Sequence, residues 1–383
     1  MTFHMLGLGT AQPHGDIEQP RAAAAAAELC CDTPQQRRLL ETIYRQSRVR
    51  RRGSVLVSNG NGKHSASGAA ATLAPSLDFY PVRDAHNERG PTVRQRMDAY
   101  AAHALPLAQE AASRALEQSD TAPDQIAHLI TVSCTGFSAP GLDIQLIEAL
   151  GLRRDTTRTM IGFMGCHGAI NGLRTAQAMA AQADGATIRG AAPTARGRVL
   201  MCCLELCSLH FQYGWDTQQV VANALFADGA GAVVGEAADG GDGPWRLSAT
   251  GSYLVPESRA AMSWSIGDHG FEMTLSPGVP GLIDAHLLAW LTRWLGDAGL
   301  TVADVGSWAV HPGGPRVLDA VEAALALPTE ALATSRQVLG MCGNMSSPTV
   351  LFILEKLLAQ RAALPCVALA FGPGLTIEAA LFG

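Results

Sequence analysis

Short apolar runs of strand length alternate with helix-period segments along most of this chain, and that alternation leaves few folds open. Residues 106–117 carry helical spacing, 126–133 read as a strand, 141–150 as a helix, 198–205 as an apolar strand and 226–236 as a Gly/Ala-rich one. The rhythm resumes further on. Residues 282–295, 317–325 and 350–359 are helical in pattern, and 307–310, 366–371 and 376–381 are extended. Alternating strands and helices predict an α/β fold with helices on both faces of the sheets. Three stretches read as loops: the Gly/Ser/Asn-rich 58–76, the Gly-Ala-Ala-Pro run within 184–197, and the Asp/Gly cluster 238–244. The last marks a boundary between segments 1–240 and 241–383, which suits an internal duplication. Composition agrees: 48% hydrophobic and only 16% charged residues in 383 imply a large core.

The same numbers exclude function classes. A net charge of −6 argues against general nucleic-acid binding. Every long apolar stretch is broken by a charge or by Gly/Pro, so no membrane span is expected, and the N-terminus lacks the basic-then-apolar pattern of a secretory signal. A cytoplasmic protein is the expectation. The nine cysteines are odd in number and lack zinc spacing, so reduced thiols and no metal site are expected.

Cys166 stands out by position. A glycine-punctuated apolar stretch, 159–165, ends in front of it, and Ala169, Ile170, Leu173, Ala176 and Ala180 follow at helical spacing. A thiol at a strand-to-helix turn meets free N–H groups and the positive end of the helix dipole, which lower its pKa and expose it as a nucleophile. A buried structural cysteine is the alternative. Two further segments bear on the choice. The strand 307–310 ends in His311, followed by Pro312, Gly313 and Gly314, and Asn344 lies in a small-residue loop ahead of the helix 350–359. Cys, His and Asn so placed form a catalytic constellation.

The chain resembles the type III polyketide synthases, the chalcone-synthase-like enzymes of the thiolase superfamily. The resemblance rests on Gly165-Cys166, Leu225-Phe226-Ala227-Asp228-Gly229-Ala230, Val279-Pro280-Gly281-Leu282, His311-Pro312-Gly313-Gly314-Pro315, Gly343-Asn344-Met345-Ser346-Ser347 and Phe371-Gly372-Pro373-Gly374-Leu375-Thr376, in the family's order. The run Leu204-Glu205-Leu206-Cys207-Ser208-Leu209-His210-Phe211 is similar to the bacterial branch. The resemblance implies a thiolase-like fold of two duplicated αβαβα halves, Cys166 in the first and His311 and Asn344 in the second, assembled as a homodimer.

It also implies the reaction: iterative decarboxylative condensation of malonyl-CoA onto an acyl-CoA starter held on Cys166, then cyclisation. CoA thioesters serve as substrates, with no tightly bound cofactor. His311 and Asn344 would donate to the enolate oxygen. Phe226 would guard the entry, with Met273 at a second gate and Phe271 two residues before it. Pocket walls are expected from Cys134, Thr135, Cys207, His210, Trp264, Ile266, Ser346 and Pro373, and Ala139 at the dimer interface. Arg48, Arg50, Arg51 and Arg52 would meet the CoA phosphates by their forked donors, and Gly313 and Gly314 would let pantetheine pass close to backbone. An alkylpyrone or alkylresorcinol is the expected product. The alternatives are a malonyl-only or aryl-starter synthase making a small phenolic, and an initiating ketosynthase of fatty-acid synthesis. A papain-like protease shares the Cys, His, Asn order but lacks its signature here, and a binding protein without catalysis would have no need of all three residues.

Overall fold

A computed structural model describes residues 2–57, 79–184, 197–238 and 245–383. The elements in order are β1 (Thr2–Ala11), β2 (Asp16–Glu18), α1 (Gln19–Cys30), α2 (Pro34–Gln46), β3 (Arg51–Gly53), α3 (Val93–Gln118), β4 (Ile126–Ser133), α4 (Leu142–Leu150), β5 (Thr157–Gly162), α5 (Gly168–Asp184), β6 (Arg198–Leu206), α6 (Thr217–Leu225) and β7 (Asp228–Ala238). They continue with β8 (Arg246–Leu254), β9 (Met262–Gly267), β10 (Gly270–Leu275), α7 (Val279–Gly296), β11 (Ser307–Val310), α8 (Pro315–Leu325), α9 (Ala333–Cys342), α10 (Thr349–Ala359), β12 (Cys366–Gly372) and β13 (Thr376–Phe382).

Nine strands form one sheet in the order β11-β12-β13-β8-β1-β7-β6-β4-β5. Its two ends follow the same rule: strands pair in parallel toward each edge (β4 with β5 and β6, β11 with β12) and antiparallel toward the centre. Side chains alternate between faces along each strand, and the alternation sorts them into layers. Leu200, Cys202 and Leu204 of β6 face α3 and α4, whereas Val199, Met201 and Cys203 face a core that includes α5 and α10. In the second half Ala368 and Ala370 of β12 face that same central core, and Val367 and Leu369 face α7 and α8. Each end of this one sheet is therefore covered by helices on both faces, the two ends sharing the central helix layer, as an α/β fold with both strand faces covered requires. Cys166 and His311 lie just beyond the ends of β5 and β11.

The predicted strands 126–133 and 307–310 coincide with β4 and β11. Helix 106–117 is longer than predicted: Pro106 sits inside α3, which begins instead at the capping box of Thr92 and Gln95. The loop assigned to 58–76 lies outside the described residues, as does most of those at 184–197 and 238–244. Among the described residues no helix is long and apolar enough to cross a membrane.

Candidate active site

After β5 the chain turns through Phe163 (φ 57°) and Gly165 (φ 70°) into a short 3-10 turn that carries Cys166 and leads into α5. Gly165 is required twice over: its φ is left-handed, and a Cβ there would stand 2.5 Å from Pro373. Cys166 is buried in a small cavity lined also by Cys134, Thr135, Cys207, Phe226, Trp264, Met273, Ser346 and Pro373. Of the predicted walls Cys134, Thr135, Cys207, Trp264, Ser346 and Pro373 meet around Cys166, while His210 lines an adjoining cavity. Met262 joins them, a residue the sequence reading did not pick out.

Asn344 follows α9 through Gly343, whose φ of 74° and 2.8 Å clearance from Ala227 Cβ admit no side chain. Its backbone is pinned on both sides, N–H to Leu225 O at 2.9 Å and C=O from Ala227 N–H at 2.9 Å, so it rides beside Phe226. Its Oδ1 accepts from Ser346 N–H at 2.8 Å. That fixes the amide's orientation and leaves its NH₂ to donate, at present only to Gly313 O at a long 3.4 Å. His311 directly follows β11, its N–H donating to Leu369 O at 2.8 Å. The ring is fully buried and neither nitrogen has a partner.

Charge states differ from the sequence expectation of a lowered thiol pKa. Burial pushes the Cys166 thiol up to about 11, with the Glu205 carboxylate adding to the rise, while hydrogen bonding from Ser346 and Asn344 and its own backbone N–H pulls back. Burial, with the neighbouring His167, drops His311 to about 3. The helix-start effect exists but is outweighed by desolvation, so the site holds a thiol and a neutral imidazole. A neutral ring keeps one lone pair to take a proton and one N–H to donate.

Glu205 was missed as a site residue by the sequence reading. It is wholly buried on β6, accepting from Cys134 N–H (2.9 and 3.0 Å), Thr135 Oγ1 (2.7 Å) and Ser347 Oγ (3.1 Å). Burial raises its carboxyl to about 7 against those bonds. The available signal was one carboxylate inside the otherwise apolar strand run 199–206. The folded carboxyl, raised above its unfolded value of 4.5, keeps a proton that the unfolded chain releases, so stability falls as pH rises from 4.5 to about 7. The loss is on the order of 3 kcal/mol. Glu205→Gln should flatten the slope of unfolding free energy in that window, with Asp228, raised to about 6, supplying the remainder. An unchanged slope in urea titrations at pH 5 and 7 would remove this account of Glu205.

His210 is a wall with a fixed tautomer. Phe271 N–H donates to its Nδ1 at 3.0 Å, so Nε2 carries the proton and donates to Thr135 O at 2.7 Å. The ring stacks on Phe271 at 4.2 Å, and burial holds it near 3, hence neutral. Of the two gate candidates, Met273 lines the cavity and pairs across the ribbon with Trp264, while Phe271 is buried behind them.

Three expectations need correction. Ile266 is no pocket wall: it is 54% exposed where β9 has run past the cavity. Arg52 is buried, its guanidinium over Tyr44 and donating to the carbonyls of Asn223 (2.5 Å) and Phe226 (3.0 Å), so it braces the segment holding Phe226 and is not free for phosphate. Arg51 turns instead to Asp16 at 3.3 Å and lines neither groove. Arg48 does line a surface groove of about 510 Å³ with Gly313, Gly314, Leu225 and Pro280, and Arg50 joins Arg48 in an adjoining one.

The structure brings the Asn344 amide to the Cys166 thiol, and the His311 ring lies buried just beyond β11. The family of chalcone and stilbene synthases matches this chain in two parts, its N-terminal domain over residues 2–239 and its C-terminal domain over residues 246–383. The Alpha-pyrone synthesis polyketide synthase-like Pks18 of Mycobacterium tuberculosis is 32% identical over 384 residues, 98% of this chain and 90% of that protein. The 1,3,6,8-tetrahydroxynaphthalene synthase of Streptomyces peucetius is 37% identical over 281 residues, 72% of this chain and 71% of that protein. PKS-I from the brown alga Ectocarpus siliculosus superposes with a TM-score of 0.88 at 29% identity, covering 100% of this chain and 98% of that one. The chain therefore belongs to the chalcone and stilbene synthase family. It is a type III polyketide synthase, an acyltransferase working on CoA thioesters without a tightly bound cofactor.

Proposed function

We propose that this synthase extends a medium- or long-chain aliphatic acyl-CoA with malonyl-CoA and closes the product to an alkylpyrone or alkylresorcinol. The observation that carries the reading is a second cavity, of about 140 Å³, adjoining that of Cys166 and sharing Cys207, Phe226, Trp264 and Met273 with it. Its remaining wall includes Ala22, Ala26, Leu29 and Leu56, a setting for hydrocarbon. The match to a protein named for alpha-pyrone synthesis supports pyrone closure.

In this reading the Cys166 thiol gives its proton to neutral His311 as Sγ attacks the acyl carbonyl, and the proton leaves with the CoA thiolate. Malonyl-CoA then loses CO₂, and the enolate oxygen is held by His311 N–H and the Asn344 amide. The enolate carbon attacks the thioester, freeing the Cys166 thiolate and placing the extended chain on CoA for reloading. No general base is called for, because decarboxylation itself supplies the carbanion. Arg48 and Arg50 hold the CoA phosphates, with pantetheine running past Gly313 and Gly314 toward Asn344. We read the two segments 1–240 and 241–383 as duplicated halves, and the active species as a homodimer. Edge strand β5 and its neighbours leave Phe137, Met160, Phe163 and Met164 exposed near Ala139, an apolar face that a second copy would cover. Sedimentation at a mass of one 40.1 kDa chain would refute the dimer.

The second reading, a malonyl-only enzyme making a small phenolic, is favoured by the match to tetrahydroxynaphthalene synthase. Incubation with malonyl-CoA and starters from acetyl to palmitoyl, read by mass spectrometry, separates the two. kcat/KM should climb with starter length to a limit, each buried CH₂ contributing about 0.8 kcal/mol. A flat profile, or product from malonyl-CoA alone, favours the second. Arg48→Glu should raise KM for all CoA esters alike with kcat little changed, because lost phosphate contacts are uniform binding. A normal KM would detach Arg48 from CoA.

A further inference from the structure

The six consecutive alanines 22–27 lie on α1, and they do not all do the same work. Ala22, Ala23, Ala26 and Ala27 belong to a packed cluster with Leu40 and Tyr44 of α2 and Val220 and Ala224 of α6, where small side chains let helices approach closely. Ala25 is half-buried and outside that cluster. It nevertheless lines the 140 Å³ cavity, in a stripe with Ala22, Ala26 and Leu29. That is the i, i+3, i+4, i+7 spacing of one helix face. None of the four touches the Cys166 cavity, whose shared walls are Cys207, Phe226, Trp264 and Met273. An acyl tail leaving Cys166 across those shared residues therefore runs toward α1. Helix packing explains alanine at 22, 23, 26 and 27, but not at 25. Among the described residues Ala25 belongs to no packed hydrophobic cluster, so a larger side chain there would intrude on the cavity it lines.

We propose that α1 sets the upper limit of starter length in this enzyme, with Ala25 as its specificity-determining residue: the aliphatic tail ends against the Ala22, Ala25, Ala26 stripe. This rests on the aliphatic-starter reading above. Until the tail reaches the stripe each added methylene improves kcat/KM about fourfold, the factor expected for one buried CH₂. Beyond it the gain stops.

The test compares Ala25→Phe with Ala24→Phe, an exposed position one residue away on the same helix. Each is assayed with acetyl-, hexanoyl-, decanoyl-, myristoyl- and palmitoyl-CoA, alongside thermal melting and malonyl-CoA decarboxylation in the absence of starter. Ala25→Phe should lower kcat/KM for the longest accepted starters at least tenfold, leave acetyl- and hexanoyl-CoA within about twofold, and leave decarboxylation and melting unchanged. Ala24→Phe should reproduce the wild-type profile. An Ala25→Phe profile identical to wild type overturns the proposal. So does a uniform loss across all lengths with lowered melting, which would make Ala25 a packing residue. If wild type shows no dependence on starter length, the aliphatic-starter reading itself fails. A length-dependent wild type with an unmoved limit in Ala25→Phe leaves that reading standing and removes only the role of α1.

Discussion

Cys166→Ala should lose acyl loading altogether and lower product formation by more than a thousandfold, as removal of a covalent nucleophile does. The expectation follows from the turn that carries the residue. Phe163 and Gly165, both at positive φ, aim the thiol into the cavity, and Gly165 leaves room for Pro373 to close on it. Cys134 and Cys207 share that cavity, but neither inherits the role. Cys134 Sγ accepts the Gly165 N–H at 3.0 Å, and burial beside Glu205 raises both thiols well above their ordinary value. The variant should still fold, alanine being slightly smaller in the same apolar setting. It should also retain much of the malonyl-CoA decarboxylation, since His311 and Asn344 remain. Steady-state product assays with starter and decarboxylation assays without it read the two halves separately. Full acylation of the variant would move the nucleophile elsewhere.

Asn344→Asp is expected to give the second largest effect, and to split the reaction the other way. The aspartate keeps an oxygen for the Ser346 N–H, which Asn344 Oδ1 now serves at 2.8 Å, so the loop is undisturbed. What it removes is the NH₂ donor, and it sets a negative charge beside a developing enolate. Losing one oxyanion donor costs about 10²–10³ in rate. Decarboxylation of malonyl-CoA should fall by at least that factor. Loading of Cys166, which depends on the thiol and His311, should fall by much less. Asn344→Ala also takes away the acceptor for Ser346 N–H, so its loss mixes catalysis with about 1–3 kcal/mol for a stranded donor. A native decarboxylation rate in Asn344→Asp would refute the oxyanion assignment.

Local pattern made much of this molecule readable and long-range contact accounts for what it hid. Strands such as β4 and β11 announce themselves because both faces are covered and the run is mostly apolar. Helix α1 shows only Arg21 and Glu28 opposite its alanines, too little contrast for periodicity to mark it. Pro106 resembles a helix start because its fixed φ suits that position, yet it lies within α3. Cys166 and Asn344 stand out because each sits at a glycine-marked turn, whereas walls such as Trp264 and Met273, inside β9 and β10, were expected from the family resemblance alone. The charge state of Cys166 was not legible: a helix start lowers a thiol pKa, and only the folded surroundings show that desolvation and Glu205 win. Arg52 looks like its neighbours in sequence, but the Asn223 and Phe226 carbonyls that claim it come from the far side of the chain.

The central claim is that the starter is held as a thioester on Cys166. The most direct measurement is intact-protein mass after exposure to decanoyl-CoA, followed by digestion at low pH and mapping of the modified peptide. The account predicts a gain of one decanoyl group per chain, confined to the peptide containing Cys166 and released by hydroxylamine. Acylation mapped to Cys134 or Cys207, or none on a protein that still forms product, would contradict it.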